Sequence, residues 1–264
     1  MPKLTAISAG VWAMDLGLNG RRVVVAGGSR GIGRAIALAF AAEGAAVSIC
    51  ARGVEALESA RADIAAHGGT VHAVSCDLSD PAAIADYIPA AAEAIGGIDI
   101  LINNATGYGR ADDEASWETS LSVDLLAAVR ASRAALPFLE QGRDPTIVNI
   151  ASGSGLNPSV RTPAYGAAKA AVIHYTRTQA ATLMRKGIRV NCVAPGSIEF
   201  PGGSWEKRKT EAPALYNSIL NAIPAGRLGR PEEVASVVLF LASAQAIWVT
   251  AQIVQVNGGQ GFGR

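Results

Sequence analysis

The sequence predicts a single α/β domain in which a parallel sheet of about seven strands is covered by helices on both faces. Short runs rich in β-branched residues alternate with longer, Ala-rich segments between Arg21 and Val256. Parallel strands need crossover connections, usually helices, so this alternation is typical of a doubly wound sheet. A glycine-rich turn after the first strand supports the same fold class, and a chain of 264 residues fits one such domain.

Composition and charge exclude several classes of function. The formal net charge is +1, which gives no electrostatic signal for nucleic acid or for an anionic membrane. No apolar run reaches the ~18 residues that a membrane helix needs. Cys50, Cys76 and Cys192 match neither a disulfide framework nor a zinc site, and the histidines form no cluster. We therefore expect a cytoplasmic protein without a bound metal.

Residues 1–17 precede the first strand and do not share the pattern of the domain. The apolar stretch Leu4–Met14 is short and diluted by polar residues, so it is a weak signal peptide. We expect a flexible extension here, with Met14 as an alternative start, followed by one domain over residues 18–264.

The first strand, Arg21–Ala26, leads into the turn Gly27–Gly33 and a helix over roughly Gly31–Glu43. Glycines let the backbone approach a diphosphate, and the helix N-terminus presents free N–H groups to it. A tight turn without a ligand is the alternative for this segment taken alone. Similar runs predict six further strands: Ala46–Cys50, Thr70–Ser75, Ile98–Ile102, Thr146–Ile150, Ile188–Val193 and Gln252–Val256.

The connecting segments are predicted to be helices. One begins after Ser79 or Asp80, both of which favour a helix start, with Pro81 in its first turn. The others are Val54–Ala66, Asp112–Glu140 and Pro163–Lys186.

The chemistry is concentrated at Tyr165 and Lys169, with Ser152 just past the fifth strand. On a helix, positions i and i+4 share one face, about 6 Å apart at Cβ. An ammonium group near a tyrosine favours the phenolate and lowers its pKa. A serine hydroxyl aimed at the same point can hold a carbonyl oxygen while the tyrosine gives or takes a proton. This set predicts interconversion of a ketone and a secondary alcohol, with an ordinary surface tyrosine as the alternative.

An ordered series of motifs gives the chain a family resemblance. The motifs are Gly27-x-x-x-Gly31-x-Gly33, Cys76-Asp77-Leu78, Asn103-Asn104-Ala105, Ser152, Tyr165-x-x-x-Lys169, Pro195-Gly196 and Val256-Asn257-Gly258-Gly259. The chain resembles the short-chain dehydrogenases/reductases in their compact branch, among them ketone reductases and 3-oxoacyl-carrier-protein reductases. The resemblance covers Leu18 to Gly259 and implies a Rossmann-type fold with one nucleotide site at the carboxyl edge of the sheet.

The resemblance also implies roles for residues. Tyr165 would be the acid–base, Lys169 would lower its pKa and bind the nicotinamide ribose, and Ser152 would orient the substrate carbonyl. The fourth catalytic position falls on Asp124. The implied cofactor contacts, besides Tyr165 and Lys169, are Gly27, Ser29, Arg30, Gly31, Ile32, Gly33, Arg52, Asp77, Leu78, Asn104, Ala105, Pro195, Gly196 and Ile198.

Three positions depart from the family pattern. Asp124 stands where the family has an Asn that supports a water chain from the lysine to solvent; an ionised carboxylate can accept hydrogen bonds but cannot donate them. Thr106 replaces a glycine beside the cofactor, and Phe200 replaces a frequent Thr near the carboxamide or diphosphate. We expect a shifted pH optimum from the first departure and an aromatic wall from the last.

The cofactor is predicted from the end of the second strand, where specificity for NAD usually needs an acidic residue. This chain has Ala51 there, followed by Arg52, and it carries Arg30 inside the glycine turn. Two guanidinium groups suit a 2′-phosphate, which a guanidinium can bind bidentately. The prediction is NADP(H), with merely solvated arginines as the alternative.

The resemblance places the substrate under a lid over residues 196–230, which offers the apolar or aromatic side chains of Ile198, Phe200, Trp205, Leu215, Tyr216 and Ile219, with Leu156 from another loop. We predict an apolar pocket for a carbonyl compound, with lid packing or a subunit contact as the alternative. Tyr108 is expected to face it from another loop, and the basic run Lys207–Lys209 is interpreted as a solvated face rather than a site for an anionic tail. The predicted substrate contacts are Ser152, Leu156, Tyr165, Phe200 and Trp205.

Two other functions stay open. Arg143 and Lys186 fall where carrier-protein reductases use basic residues, so reduction of 3-oxoacyl groups on acyl carrier protein is one alternative. A non-catalytic NADP(H)-binding regulatory protein is the other, supported only by Asp124.

Association is predicted as well. Apolar residues on the two long helices, together with the resemblance, predict a homo-oligomer, either a dimer or a tetramer. The tail Gly258–Arg264 is expected to close over a neighbour or to be disordered.

Overall fold

The computed structural model describes residues 15–261. The expectations for Leu4–Met14 and for the last three residues of the tail lie outside these residues. Residues 15–17 are attached to the domain, because Ala244 N donates to the Leu16 carbonyl (3.2 Å) and Gln245 Nε2 donates to the Asp15 carbonyl (2.8 Å). The domain therefore extends before the predicted boundary at Leu18.

Seven parallel strands form one sheet in the order β3-β2-β1-β4-β5-β6-β7. Because β1 pairs with β2 on one side and with β4 on the other, the winding of the chain reverses direction beside β1. Connections leave the carboxyl ends of these strands in opposite directions, which opens a crevice at that edge. The strands are β1 (Arg22–Ala26), β2 (Ala46–Ala51), β3 (Val71–Ser75), β4 (Ile100–Asn103), β5 (Thr146–Ile150), β6 (Arg189–Pro195) and β7 (Ile253–Val256).

Helices cover both faces of the sheet, as predicted. One face packs against α1, α2 and α9, and the other against α3, α5 and α6. The central strands read as continuous apolar runs because both of their faces are buried; Val23, Val24 and Val25 are fully inaccessible. The helices are α1 (Gly31–Ala42), α2 (Val54–Ala65), α3 (Pro81–Ile95), α4 (Glu114–Thr119), α5 (Ala127–Leu139), α6 (Pro163–Leu183), α7 (Ser204–Glu211), α8 (Pro213–Asn221) and α9 (Pro231–Ala242).

The helical stretch predicted over Asp112–Glu140 is helical from Glu114 to Leu139, but its middle is not a regular α-helix. A π-helical segment, Ser120–Leu126, separates α4 from α5. The segment contains neither Gly nor Pro, so no local breaker announces it. Its two buried residues are Ser120 and Asp124, and each accepts hydrogen bonds from the backbone of the preceding loop. Tertiary hydrogen bonds therefore accompany the change in helical register.

The segment between β6 and α9, which is the predicted lid, is built mainly from α7 and α8. Its apolar side chains make a small cluster of their own, centred on Tyr216, Ile223 and Leu228. No helix within residues 15–261 combines the length and apolar character required to span a membrane.

Candidate active site

The glycine turn joins β1 to α1 at the point where the winding reverses. The N–H groups of Gly27 and Gly28 both donate to the Cys50 carbonyl at the end of β2 (3.1 Å each). Arg30, the N-cap residue of α1, makes no side-chain bond to the first turn, which leaves those N–H groups for an anion. A Cβ on Gly33 would overlap the Gly27 carbonyl oxygen, so that position requires glycine.

Asn104 and Ala105 close the other side of the turn. Asn104 Nδ2 donates to the Gly27 carbonyl (2.7 Å), and a Cβ on Gly27 would lie 3.0 Å from Cα of Ala105. Asn104, which the resemblance places near the cofactor riboses, therefore also fixes the conformation of the turn. Thr106, the next departure from the family pattern, is exposed.

Ser152, Tyr165 and Lys169 are brought together by β5 and α6. Ser152 follows β5 and precedes a short 3₁₀ turn that packs on α6. A Cβ on Gly155 would lie 2.6 Å from the carbonyl carbon of Lys169, so only glycine allows this approach. The Lys169 ammonium is 5.7 Å from the centre of the Tyr165 ring. Gly155 was missed at the sequence level, although a glycine so soon after Ser152 was the available signal.

Asp124 forms a buried ion pair with Lys169. Their side chains are 0% and 3% exposed, and Oδ1 lies 3.3 Å from Nζ. The other carboxylate oxygen accepts the N–H groups of Gly107 and Tyr108 at 3.2 Å each. Lys169 Nζ also donates to the Ile150 carbonyl (3.0 Å). A charged group in direct contact with the lysine thus stands where the family has a neutral amide.

The pKa of Tyr165 is raised from its ordinary value, contrary to the expectation that Lys169 lowers it. Burial is the largest cause and the negative charge of Asp124 is the second, while a hydrogen bond with Ser152 acts in the opposite direction. The Lys169 ammonium is paired with Asp124, so its charge is offset before it can stabilise a phenolate.

A small cavity adjoins this ion pair, and Asn103 is part of its wall. Asn103 Nδ2 donates to Asn149 Oδ1 (2.8 Å), and Asn149 Nδ2 donates to Thr176 Oγ1 (3.0 Å). This buried polar chain ties β4 and β5 to α6, and so helps to fix Lys169 relative to the sheet. Asn103 was identified from the sequence only as part of the motif Asn103-Asn104-Ala105, and Asn149 was not identified as a site residue.

Tyr108 links the catalytic centre to the lid. Its ring packs edge-on against Tyr165, with ring centres 5.0 Å apart at 82°. Arg208 Nη2 on α7 donates to the Tyr108 hydroxyl (3.0 Å), and the Arg208 guanidinium lies 4.6 Å from the Trp205 ring. Tyr108 has a φ of 53°, a conformation that costs a non-glycine residue about 1–3 kcal/mol. The two N–H bonds to Asp124 hold the loop in that conformation.

The two arginines predicted to select the cofactor lie at the carboxyl ends of neighbouring strands. Arg30 and Arg52 are both exposed, and within residues 15–261 neither guanidinium donates a hydrogen bond or joins an ion pair. Asp77 is also exposed at this edge. Its carboxylate accepts the Ser79 N–H (2.9 Å) and hydroxyl (2.8 Å), and those bonds lower its pKa.

The remaining predicted cofactor residues differ in exposure. The side chains of Ser29, Leu78, Pro195 and Ile198 are buried, whereas Ile32 and Gly196 are partly accessible. Ile198 packs beside Gly229, to which it forms a β-bridge. At the carboxyl edge of the sheet, the segment after β6 therefore offers a ligand its backbone rather than its side chains.

Gln260 was missed by the sequence reasoning and anchors the tail. Its Oε1 accepts the Ser197 N–H (2.8 Å), and its Nε2 donates to the Ser197 hydroxyl (3.1 Å). A Cβ on Gly259 would lie 2.9 Å from Pro224. The described part of the tail, residues 258–261, is therefore ordered against its own chain.

The structure separates the predicted substrate residues. The Phe200 ring lies over the glycine turn, 2.6 Å from where a Cβ on Gly31 would be, so it borders the cofactor side. Leu156 lines a surface pocket with Gln255 and Gln260. Trp205 packs in the lid cluster. Among the residues described, no three His, Cys, Asp or Glu side chains are grouped so as to hold a metal ion.

Comparisons with known proteins agree with this geometry. Residues 26–260 match the family model described as enoyl-(acyl carrier protein) reductase. An isoepoxydon dehydrogenase from Aspergillus clavatus is 38% identical over 247 residues, which cover 92% of this chain and 95% of that protein. A 3-oxoacyl-[acyl-carrier-protein] reductase from Thermotoga maritima is 35% identical over 247 residues, covering 92% and 98%.

A solved structure is similar over nearly the whole chain. It is L-sorbose reductase from Gluconobacter frateurii in complex with NADPH and L-sorbose, with a TM-score of 0.86 and 30% identity. The superposition covers 94% of this chain and 98% of that one.

Proposed function

This chain belongs to the short-chain dehydrogenase/reductase family of oxidoreductases, which act on CH–OH and C=O groups, and from that premise we propose that it interconverts a ketone and a secondary alcohol with NADP(H). The observation that carries the proposal is the convergence of Ser152, Tyr165 and Lys169 beside the glycine turn, at the carboxyl edge of the sheet.

The residues at this edge fit a dinucleotide. The turn around Gly33 admits no side chain, and the first N–H groups of α1 are uncapped, as a diphosphate requires. Gly27–Gly33 would hold the diphosphate, and Asn104 and Lys169 would lie near the riboses. When bound, the nicotinamide supplies or accepts the hydride.

The protein's own contribution is to orient the carbonyl and to move a proton. The Ser152 hydroxyl donates to the carbonyl oxygen, and the Tyr165 hydroxyl gives that oxygen the proton of the product alcohol. Tyr165 is protonated at neutral pH already at the ordinary tyrosine pKa of ~10, and its raised pKa keeps the hydroxyl protonated to higher pH. The reverse reaction needs the phenolate, so alcohol oxidation is favoured at higher pH.

Replacing Tyr165 with Phe tests the chemistry. We expect ketone turnover, measured as loss of NADPH absorbance, to fall about 10²- to 10⁴-fold while NADPH binding persists. Tyr175→Phe, on the same helix, is the control and should retain turnover. Equal turnover by Tyr165→Phe and the native protein would overturn the proposed role. Tight NADPH binding by a native protein inactive on every ketone tested would favour the regulatory alternative.

The choice of NADP(H) is tested at the two exposed arginines. Arg30→Ala with Arg52→Ala should raise the KM for NADPH about 10-fold or more, because charge-assisted bonds to a 2′-phosphate are lost. The KM for NADH should be unchanged, since that cofactor lacks the phosphate. Comparable efficiency of the native enzyme with NADH and NADPH would contradict the choice.

A carrier-protein reductase is the second candidate, favoured by the Thermotoga maritima relative. The basic residues assigned to it lie at the start of β5 and β6, which is the edge opposite the catalytic residues, and Lys186 pairs with Glu140 at 2.6 Å. This position is unfavourable for presenting a carrier arm to the site of the same chain. Arg143→Glu with Lys186→Glu should abolish activity on acyl-carrier substrates if the candidate holds, and unchanged activity discards it.

We also propose a homo-oligomer. Large apolar side chains are exposed on two surfaces, at Leu121 and Leu126 just before α5, and at Phe240 in the last turn of α9 together with Ile247 and Trp248 after it. Trp248 is 98% exposed, an unfavourable position for an indole unless a partner covers it. Light scattering should give a dimer or tetramer at micromolar concentration, and a monomer would contradict the proposal.

The buried, unbridged state of Cys50, Cys76 and Cys192 supports the cytoplasmic location that we propose.

A further inference from the structure

The lid carries a guanidinium group that the proposed reaction does not use. Arg208 belongs to the basic run Lys207–Lys209, yet its side chain is partly buried while both neighbours are exposed. Lys209 pairs with Glu199 at 2.6 Å. Arg208 instead turns toward the site, where it contacts Trp205 and donates to the Tyr108 hydroxyl. One residue of the run is therefore directed inward, contrary to a uniformly solvated face.

The guanidinium of Arg208 forms no ion pair within the described part of the chain, residues 15–261. A second guanidinium, that of Arg110, lies 5.3 Å from the centre of the Tyr108 ring and is likewise unpaired within that range. The two arginines thus reach Tyr108 from different segments of the chain.

The neighbouring groups suit an anion. A guanidinium has five N–H donors in a planar fork, and only one bond of Arg208 goes to Tyr108. The Tyr108 oxygen accepts that bond, so its own O–H is free to donate. The Tyr108 and Tyr165 ring centres are only 5.0 Å apart, so the side chain that would help to bind the anion is in contact with Tyr165.

We propose that Arg208, together with Arg110 and the Tyr108 hydroxyl, forms an anion-binding subsite, and that the substrate is an oxo acid or hydroxy acid. The anionic group, a carboxylate or sulfonate, lies a few bonds from the reacting carbon. This inference rests on the proposed oxidoreductase function. It also revises the expected substrate: the apolar part of the substrate contacts aromatic rings, and its anionic group contacts the lid.

The test compares paired ketones that differ only in charge. The series contains keto acids with the carboxylate one to four carbons from the carbonyl, each beside its methyl ester, and a keto sulfonate. We expect the native enzyme to prefer at least one acid over its ester by about tenfold or more in kcat/KM. Arg208→Gln should remove that preference by raising the KM for the acid, while the ester is affected much less. Arg208→Lys, which keeps the charge, should retain part of it.

Lys207→Gln is the matched control, because it removes the same charge from the exposed side of the same helix. It should leave the preference intact. Equal efficiency with acids and esters in the native enzyme, or an equal loss of preference in Lys207→Gln and Arg208→Gln, overturns the subsite.

A binding measurement keeps the test independent of turnover. The hydroxy acid corresponding to the preferred keto acid, or the whole hydroxy-acid series if no ketone is reduced, is titrated calorimetrically into the protein with NADPH present. Those two ligands cannot react with each other. Saturable binding that Arg208→Gln weakens about tenfold supports the subsite even if no ketone is turned over, which would then count against the proposed function alone. Absence of binding to the native protein overturns the subsite.

Discussion

Asp124 is the residue that most distinguishes this site from the family pattern. It pairs with Lys169, receives two backbone N–H groups of the Tyr108 loop, and raises the pKa of Tyr165. One carboxylate therefore connects the lysine, the loop and the acid–base. A buried pair of this kind is balanced between desolvation and attraction, so losing one partner affects the other strongly.

Replacing Asp124 with Asn should move the pH profile of alcohol oxidation toward lower pH. Oxidation needs the phenolate of Tyr165, and removing the negative charge lowers the pKa of that residue. The Asn carbonyl oxygen can still accept the N–H groups of Gly107 and Tyr108, which limits structural damage. The profile of kcat/KM for oxidation between neutral and alkaline pH is the measurement.

Asp113→Asn is the control for that experiment. Asp113 caps α4 in an exposed position, where its side chain accepts the Ser116 N–H (2.8 Å). Its replacement should leave the profile in place. If the rise of kcat/KM for oxidation occurs in Asp124→Asn at the same pH as in the native protein, or at a higher pH, the electrostatic role of Asp124 is contradicted.

The glycine turn shows how one element couples the nucleotide edge to the catalytic loop. Gly33 lies against the Gly27 carbonyl oxygen, which also accepts the Asn104 side chain. The turn, the first turn of α1 and the loop after β4 therefore pack as one unit. Movement of any part would be passed to the loop that leads to Tyr108.

Gly33→Ala should raise the Kd for NADPH about tenfold or more, because the added methyl displaces the Gly27 carbonyl and reshapes the diphosphate cradle. Binding is followed by NADPH fluorescence. Gly53→Ala is the matched variant, since a Cβ there meets nothing within 4 Å. Native affinity in Gly33→Ala, with an unchanged melting temperature, would show that the cradle tolerates a side chain.

At the scale of the whole molecule, charged groups connect the strands at the amino edge of the sheet, opposite the candidate site. Asp99, just before β4, accepts from the backbone and guanidinium of Arg22 at the start of β1 and from the Arg143 N–H before β5. Arg21, which is also buried, lies 3.7 Å away. Burial acts to raise the pKa of Asp99, but the bonds from Arg22 and Arg143 outweigh it and the net pKa is lowered.

Asp99→Asn should lower the free energy of unfolding at neutral pH by about 3 kcal/mol, because the buried Arg21 and the partly buried Arg22 lose their charged partner. A carboxyl whose folded pKa is depressed stabilises the fold above its unfolded pKa, near ~3.9, and that stability is lost as the pH falls through the folded pKa. The difference between native and variant proteins should therefore shrink on acidification below about pH 4. Urea unfolding at fixed protein concentration measures it.

Glu140→Gln is the comparison, since it removes the exposed pair with Lys186 and should change stability by less than about 1 kcal/mol. An effect of Asp99→Asn as small as that of Glu140→Gln would mean that the Asp99 cluster does not hold this edge of the sheet.

The amino-acid sequence by itself determined the order of elements and the residues of the candidate site. Strand patterns, the glycine turn and the i,i+4 spacing of Tyr165 and Lys169 depend on local periodicity, which is visible in one dimension. Carboxyl ends of parallel strands share one edge, so Ser152 and the glycine turn could be placed together before any coordinates.

Tertiary structure decided the features that depend on contacts between distant segments. The π-helical segment around Asp124, the rise in the Tyr165 pKa and the inward direction of Arg208 each result from residues far apart in the chain. The sequence identifies the ionisable residues, but it does not show which of them are buried or which form ion pairs. An arginine beside two lysines was therefore interpreted as solvated, and a lysine near a tyrosine was expected to lower its pKa. The structure gives the opposite result in both cases: burial and the charge of Asp124 raise the pKa of Tyr165, and Arg208 is partly buried against Tyr108 and Trp205.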